Sequence, residues 1–472
     1  MTALPPARRP GIPPLAGGAT GAESLRPLLD TVLTALHTGA RDRGGPLPPG
    51  GPATVTARVE AALGNTGSAG DVLPDKGTGP HEALTTLVRT LTAGAADPAD
   101  PLCVAHLHCP PLAVAAAADL AADALNPSLD SWDQAPAASA IEALLTRTLA
   151  AEFYDTPRAD ALVTTGGTEA NQLGILLARE RHGPALTVLH GANAHHSIPR
   201  AAWLLGLPPA VAVPTPTGTL DPDHLADALA ATTGPTLVTA TAGTTDAGLI
   251  DPLHRIADLC DRHGADLHID AAYGGPLALS PRHRDKLAGI GRAHSLTVDL
   301  HKLGWQPVAA GLLLVPDTAL LAPLAHQADY LNATDDTEAG LPDLLGRSLR
   351  TTRRPDALKI ATTLRALGRD GLVHLIDHTC ELAHQLADRL DAHPGFELHA
   401  PPTISTVLFR PAHATDEDVA ELRRTLLHEG RAVLGRTHAD GRLWLKATLL
   451  NPHTTARDLD TLITLLEGST HR

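Results

Sequence analysis

Beyond about residue 110 the chain alternates short apolar runs with amphipathic segments, and this alternation constrains its fold more than any other feature. The apolar runs have the length of strands, and the segments between most of them, such as 221–232 and 252–263, have the period of helices. Strands separated by helices predict an α/β fold with a mostly parallel sheet covered on both faces. The predicted strands are 161–167, which runs into a Gly-Gly turn, 186–189, 210–213, 236–240, 267–270, 295–298 and 309–315.

The rest of the chain divides by composition into three further parts. Residues 1–22 are rich in Pro, Gly and Ala without periodicity, which indicates a disordered or loosely attached tail. We expect an N-terminal helical segment at 23–110, the large sheet domain at 111–371 and a small α+β domain at 372–472. The elements predicted outside the sheet are helix 22–40, a Gly- and Pro-rich loop at 41–53, a Gly-rich segment at 64–79, helix 372–392, strand 405–409, helix 416–429 and strand 442–448.

The charge balance and the cysteines exclude several classes of protein. Lys and Arg total 37 against 52 Asp and Glu, a net charge of −15, which gives no electrostatic basis for binding nucleic acid or anionic lipid. The longest apolar stretch, 112–125, is too short to span a membrane and contains Asp119 and Asp123. Four cysteines form neither a disulfide framework nor a zinc-ribbon spacing. We therefore predict a soluble cytoplasmic enzyme.

The turn after the first predicted strand has the features of an anion site. Gly166 and Gly167 allow close approach of the backbone, the helix that follows offers free N–H groups, and Thr168 adds a hydroxyl. This pattern fits a phosphate cradle. Taken alone, it is more often an ordinary strand-to-helix turn capped by threonine, because such turns are common.

Two other strand ends place ionisable groups where ligands bind in such sheets. Asp270 ends strand 267–270, where it either caps a turn or pairs with a protonated ring nitrogen. Lys302 follows strand 295–298 and is one of only five lysines; a lysine in a desolvated crevice is suited to Schiff-base chemistry, although most strand-end lysines simply face solvent. The other four lie in a Gly-rich loop (Lys76), a basic surface run (Lys286), a helix (Lys359) and a C-terminal strand (Lys446).

Neighbouring histidines do not predict a metal site. His195 and His196 are adjacent, and His106 and His108 precede Cys109, but no third ligand falls at a supportive spacing. With 26 histidines in the chain, such clusters arise by chance. An imidazole stacked on a cofactor ring is the better functional reading of His195.

Together these motifs resemble the group II pyridoxal-phosphate decarboxylases, of the aromatic-amino-acid and glutamate type, over about residues 85–450. The order and spacing of the motifs agree throughout, and the branch most resembled is that of the L-2,4-diaminobutyrate decarboxylases. The motifs are His106-Leu-His-Cys-Pro-Pro, Ala124-Leu-Asn, Ser131-Trp-Asp-Gln-Ala-Pro-Ala, Thr165-Gly-Gly-Thr-Glu-Ala-Asn, Thr241-Ala-Gly-Thr-Thr-Asp, Asp270-Ala-Ala-Tyr-Gly-Gly, Asp299-Leu-His-Lys and Thr351-Thr-Arg-Arg.

The resemblance implies a fold, a cofactor and a role for each matching residue. The fold would be the aspartate-aminotransferase-like fold type I, with a seven-stranded sheet, and the protein would be a homodimer that binds pyridoxal 5'-phosphate. The roles implied are a Schiff base at Lys302, a charge partner for the ring nitrogen at Asp270, ring stacking by His195 opposite Ala272, phosphate binding by Gly167, Thr168 and His301, further cofactor contacts at Thr245 and Asp299, and a substrate pocket at Leu107, His108 and Cys109.

The reaction implied is decarboxylation of a small or cationic L-amino acid to an amine and CO₂. The sequence departs from the family in the segment 335–347, which lacks the usual tyrosine, although Tyr330 lies just upstream. Pro199 is expected to interrupt the helix after His195. These departures leave two alternatives open. The first is a different reaction on the same scaffold, either oxidative deamination to an aldehyde or another lyase reaction. The second is a non-catalytic homologue.

Overall fold

The computed structural model describes residues 13–64 and 72–470. Part of the predicted tail (1–12) and part of the Gly-rich segment (65–71) lie outside the described residues. The helices are α1 (Gly21–Arg43), α2 (Gly51–Ala62), α3 (Pro80–Gly94), α4 (Ala113–Leu125), α5 (Pro136–Ala150), α6 (Gly167–His182), α7 (Ser197–Leu204), α8 (Pro222–Ala231), α9 (Leu253–His263), α10 (Thr334–Glu338), α11 (Ala357–Asp391), α12 (Asp416–His428) and α13 (Ala456–Thr470). The strands are β1 (Asp160–Thr164), β2 (Thr187–Gly191), β3 (Val211–Val213), β4 (Thr236–Thr241), β5 (Asp266–Asp270), β6 (Ser295–Asp299), β7 (Gly311–Val315), β8 (Phe396–Leu398), β9 (Thr406–Pro411), β10 (Gly435–Ala439) and β11 (Arg442–Thr448).

Seven strands form the central sheet in the order β1-β7-β6-β5-β4-β2-β3. Only β7 runs against its neighbours, so the carboxyl ends of the other six strands lie along one edge. The predicted mostly parallel seven-stranded sheet is therefore confirmed. Every residue of β1, β4, β5, β6 and β7 is buried, as expected for strands covered on both faces.

One predicted strand is less buried than its apolar sequence indicates. The run 210–213 forms β3 at the edge of the sheet, where it pairs only with β2 in the described part of the chain. Val211 is 43% exposed, and Val213 alone points into the core. An apolar run does not show whether a strand is central or at an edge, because that depends on its neighbours.

The predicted helix break at Pro199 is wrong. Pro199 is the third residue of α7, which continues to Leu204. Backbone N–H groups in the first turn of a helix have no partner within the helix, so a proline there removes no hydrogen bond.

A second, four-stranded antiparallel sheet lies in the C-terminal part, in the order β10-β11-β9-β8. The central strands β9 and β11 match the predicted ones closely, whereas the edge strands β8 and β10 and helix α13 were not predicted. The residues of β10, Gly-Arg-Thr-His-Ala, include no large apolar side chain, so they lack the apolar signal of a strand. The expected domain boundary at 371/372 falls inside α11, three residues after its kink at Gly368.

The N-terminal segment is helical, with α1 packed against α3. The expected loop 41–53 is shorter in the structure, because α1 extends to Arg43 and α2 begins at Gly51. Further along, Cys103 pairs with Val433, and Val104 is buried in the core of the C-terminal sheet. None of the helices described between residues 13 and 470 is long and apolar enough to span a membrane.

Candidate active site

The carboxyl ends of the parallel strands open into a cavity of about 320 Å³. β1 leads to the Gly166-Gly167 turn, β5 ends at Asp270, and β6 ends at Asp299 and leads to Lys302. The structure thus brings together residues that are up to 195 positions apart in the sequence. The lining residues are Leu107, Thr165, Gly166, Gly167, Thr168, Asn171, His195, Thr241, Gly243, Thr245, Asp270, Ala272, Tyr273, Asp299, His301 and Lys302.

Lys302 has a carboxylate partner inside the cavity. Its Nζ lies 3.0 Å from Oδ2 of Asp299, and the Lys302 side chain is 19% exposed. Nε2 of His301 lies 3.5 Å from the same oxygen. Burial is the main cause that lowers the pKa of His301, although Asp299 opposes it. One carboxyl group in the cavity thus contacts both the Lys302 amine and the His301 imidazole.

The Gly166-Gly167 turn is packed so closely that only glycine fits without rearrangement. A Cβ atom on Gly167 would lie 3.0 Å from Oδ2 of Asp299 and 3.1 Å from Cβ of Ala272. A Cβ atom on Gly166 would lie 3.0 Å from Cε1 of His301. The turn leads directly into α6, which begins at the cavity, so the N–H groups of its first turn have no partner within the helix and lie at the cavity. This is the geometry of an anion cradle.

Asp270 lies at the base of the cavity and is 6% exposed. Its Oδ1 accepts a hydrogen bond from the backbone N–H of Ala272 (3.1 Å), and its Oδ2 accepts one from Nδ2 of Asn171 (2.8 Å). Both partners are neutral donors, which stabilise the ionised carboxylate. Asp270 therefore presents a buried carboxyl group, held by two hydrogen bonds, at the cavity.

His195 lies between β2 and α7 and borders the same cavity. Nδ1 accepts from the backbone N–H of Ser197 (3.3 Å) and lies 2.8 Å from Ser197 Oγ. Because Nδ1 accepts, the neutral ring carries its proton on Nε2. Burial lowers the pKa of His195, with Asp270 acting in the opposite direction.

The expected substrate residues are only partly brought to the cavity. Leu107 lines it, whereas His108 is exposed and Cys109 is buried at 2% exposure beneath it. Cys109 Sγ donates to the carbonyl of His301 (3.1 Å), and burial raises the pKa of Cys109 to about 12. Successive residues of this segment therefore point in different directions, and the part that His108 and Cys109 play in a substrate pocket stays a prediction.

Tyr330 does not reach this cavity within one chain. It is 82% exposed and lines a separate cavity of about 380 Å³ together with Trp132 and Asp336. The structure gives it no contact with Lys302 or Asp270.

Sequence reasoning assigned no role to Asn171, which lines the cavity, or to Lys446, which contacts a residue of the cavity wall. Asn171 lies one helical turn after Gly167, on the face of α6 that borders the cavity, and this spacing is a signal that was available in the sequence. Lys446 belongs to β11 in the C-terminal part, and its Nζ donates to the backbone carbonyl of Thr245 (3.0 Å). No local pattern connects Lys446 with Thr245.

The residues present fit pyridoxal phosphate, a group with an aldehyde, a phosphate and a basic ring nitrogen. Lys302 supplies an amine, the glycine turn supplies an anion cradle, and Asp270 supplies a buried carboxylate. Oδ1 of Asp299 and Nδ1 of His301 are also buried without a hydrogen-bond partner. Polar atoms of this kind are expected at a site built around a polar ligand. Within residues 13–64 and 72–470, no group of three or more His, Cys, Asp or Glu side chains is placed to hold a metal ion.

Comparison with known proteins finds relatives that cover most of the chain. Residues 73–412 match the pyridoxal-dependent decarboxylase conserved domain. The L-2,4-diaminobutyrate decarboxylase of Rhizobium meliloti (strain 1021) is 42% identical over 401 residues, 82% of this chain and 81% of the relative. The L-2,4-diaminobutyrate decarboxylase of Acinetobacter baumannii is 34% identical over 426 residues, 82% of this chain and 83% of the relative.

A solved structure extends the similarity to almost the whole chain. It is the glutamate decarboxylase domain of diaminobutyrate-pyruvate transaminase and L-2,4-diaminobutyrate decarboxylase from Vibrio parahaemolyticus. The TM-score is 0.85 at 31% identity, covering 97% of this chain and 98% of that one. The expected fold type I and the expected cofactor, pyridoxal 5'-phosphate, are thereby confirmed. The chain belongs to the pyridoxal-dependent decarboxylase family, lyases that use this cofactor to remove carbon dioxide from amino acids.

Proposed function

We propose that this decarboxylase acts on L-2,4-diaminobutyrate, releasing CO₂ and the corresponding diamine. The two relatives described above carry that activity in their names and are 42% and 34% identical over most of both chains. The observation that carries the proposal is the common cavity of Lys302, Asp270 and His195 at one edge of the sheet. The comparisons do not favour the alternative of aldehyde formation.

Each residue of the cavity has a proposed task. When bound, pyridoxal phosphate supplies a protonated ring that accepts the electron pair left by the departing carboxylate. Lys302 supplies the amine to which the aldehyde of the cofactor attaches, and Asp270 holds the proton on the ring nitrogen. Gly167 and Thr168 bind the phosphate at the start of α6. His195, with its proton on Nε2, packs on the ring face.

Two charged residues next to Thr245, which lines the cavity, support the proposal of a substrate with an extra ammonium group. Lys446 reaches the carbonyl of Thr245, and Asp246 is the next residue in the chain. Burial lowers the pKa of Lys446 and raises the pKa of Asp246, and each charge partly opposes the effect on the other. We propose that Lys446 meets the carboxylate of the substrate and that Asp246 meets the distal ammonium of diaminobutyrate.

A substrate screen tests the proposal. The purified enzyme with added pyridoxal phosphate is assayed on diaminobutyrate, ornithine, lysine, glutamate and aromatic amino acids, with CO₂, amine, aldehyde, ammonia and peroxide measured separately. We expect stoichiometric CO₂ and diamine, and the highest kcat/KM on diaminobutyrate. A higher kcat/KM on another amino acid would overturn the substrate, and aldehyde as the main product would overturn the reaction.

The proposal includes a cytoplasmic homodimer. Over their whole length, α1, α2 and α3 bury only Gly21, Ala35, Gly39, Arg43 and Ala93. Apolar side chains remain outside, with Leu33 on α1 63% exposed and Leu91 on α3 71% exposed. Helices that bury so little within their own chain are suited to pack on a second copy. All four cysteines are free, as is usual in a reducing compartment.

Light scattering on the full-length holoenzyme tests the oligomer. We expect twice the chain mass, and replacement of Leu33 and Leu91 by glutamate to shift the equilibrium toward monomer. A fully active monomer would refute this part of the proposal.

A further inference from the structure

Asn171 occupies a buried position that connects two groups of the cavity. It lies on α6, one turn after Gly167, and is 1% exposed. The NH₂ group of its amide points toward Asp270 and Ser197, and the amide oxygen points toward Thr297 and His268. All of these neighbours are 6% exposed or less, so water does not compete for the hydrogen bonds.

The NH₂ group of the amide donates hydrogen bonds toward two separate groups of the cavity. Nδ2 donates to Oδ2 of Asp270 (2.8 Å) and to Oγ of Ser197 (2.9 Å). Ser197 Oγ in turn lies 2.8 Å from Nδ1 of His195. Because Oγ accepts from Asn171, its own hydrogen is free to be donated to Nδ1. The chain of bonds therefore runs from Asn171 to the carboxylate directly and to the imidazole through one hydroxyl.

The acceptor side prevents the amide from turning over. Oδ1 accepts from Thr297 Oγ1 (2.7 Å) and lies 3.0 Å from Nε2 of His268. Nδ1 of His268 lies 2.8 Å from Ser295 Oγ, so the hydroxyl donates to Nδ1 and Nε2–H donates to Oδ1. A flipped amide would set its NH₂ group against two donors and its oxygen against a carboxylate.

We infer that Asn171 is the positioning residue that holds the Asp270 carboxylate directly and, through the Ser197 hydroxyl, supports the Nε2–H tautomer of His195 that the backbone N–H of Ser197 also favours. The inference rests on the cofactor site of the proposed function and is independent of the substrate. A neutral donor has a chemical advantage at this point. It stabilises the charge of Asp270 without cancelling it, whereas a cation there would compete with the protonated ring nitrogen for the same carboxylate.

Three variants test the inference through cofactor binding to the apoenzyme. Asn171→Ala removes both donors, and we expect the Kd for pyridoxal phosphate to rise about 10- to 100-fold, the loss typical of a hydrogen bond to a charged group. Asn171→Asp places a second carboxyl beside Asp270, and one of the pair takes up a proton as the pH falls. That proton restores a donor toward Asp270, so affinity recovers at low pH in this variant and not in Asn171→Ala.

The third variant acts from the other side of the amide. Thr297→Val keeps the size of the side chain but removes the donor to Oδ1, and we expect a smaller rise in Kd, about 3- to 10-fold. The titratable groups that face the amide are Asp270 and His268 on β5 and, through Ser197, His195. The visible absorption of the bound cofactor, recorded against pH, therefore shifts in all three variants.

Asn451→Ala is the matched control. Asn451 is also a buried amide, 7% exposed, but its Nδ2 donates to the carbonyl of Ala99, away from the cavity. This variant should keep the wild-type Kd and spectrum. If Asn171→Ala binds the cofactor with wild-type affinity and spectrum, the inference is overturned. If it fails to fold, wild-type behaviour of both Asn171→Asp and Thr297→Val across the pH range overturns it instead. A wild-type enzyme inactive on diaminobutyrate would overturn the substrate and leave these results standing.

Discussion

The ammonium of Lys302 lies 3.0 Å from Oδ2 of Asp299, whose second carboxylate oxygen is buried without a hydrogen-bond partner. Asp299 ends β6, and Lys302 follows three residues later, so the pair is set by a local turn at the edge of the sheet. Asp299 therefore holds the Lys302 amine at the wall of the cavity. The amine remains within reach of a ligand bound there.

Lys302→Ala should abolish covalent attachment of the cofactor. We expect no borohydride trapping and no visible absorption from a bound Schiff base, because the amine is removed. Lys446→Ala is the control, since Lys446 also reaches the edge of the cavity, at Thr245. Trapping retained in Lys302→Ala, or lost only in Lys446→Ala, would contradict the assignment.

Asp270→Asn should keep bound cofactor but lower kcat by a factor of about 10² or more. An amide cannot hold a proton on the ring nitrogen, whereas the anion cradle at Gly167 is unchanged. Cofactor occupancy is measured separately from kcat. A turn-capping role alone would make this substitution nearly neutral, so near-wild-type kcat at full occupancy would return Asp270 to that role.

Asp246→Asn should change substrate preference more than catalysis. We expect KM for diaminobutyrate to rise about tenfold, the effect of losing one charge-assisted interaction with the distal ammonium, with little change in kcat. The comparison substrate is 2-aminobutyrate, which has the same chain without that ammonium. An equal effect on both substrates would show that Asp246 acts only on the local structure.

His268 should make the protein less stable in acid. Burial lowers the pKa of His268 from 6.5 to about 4 in the folded state. Between these values the folded protein binds fewer protons than the unfolded chain. The contribution of the neutral ring is therefore complete above about pH 6.5 and is lost as the pH falls to about 4, a change of about 3 kcal/mol.

Thermal unfolding of the apoenzyme across this pH range checks the effect. His268→Gln removes the titrating ring and should flatten the decline in Tm with pH. Ser295→Ala removes the hydroxyl next to Nδ1 but keeps the titrating ring, so a decline of Tm in acid should remain. The same slope in His268→Gln and in the wild type would show that other groups control acid unfolding.

Local sequence was sufficient to place, at the carboxyl edge of the sheet, those residues that end or follow a single strand. Asp270 ends one run predicted as a buried strand and Lys302 follows another, and parallel strands bring their carboxyl ends to one edge. The glycine turn before α6 could be recognised for the same reason, since its residues are adjacent in the chain.

Tertiary structure decided everything that joins distant segments. The strand 210–213 proved to be an edge strand because no further strand covers β3 in the described part of the chain. Lys446 reaches Thr245 from a different sheet, 201 residues away. The sequence by itself thus determined the fold class and the residues at strand ends, because periodicity and chain order are local properties. Only the folded chain determined where the Cys109 side chain points and which groups the Asn171 amide bonds. Both depend on contacts between residues that are 26 to 192 positions apart.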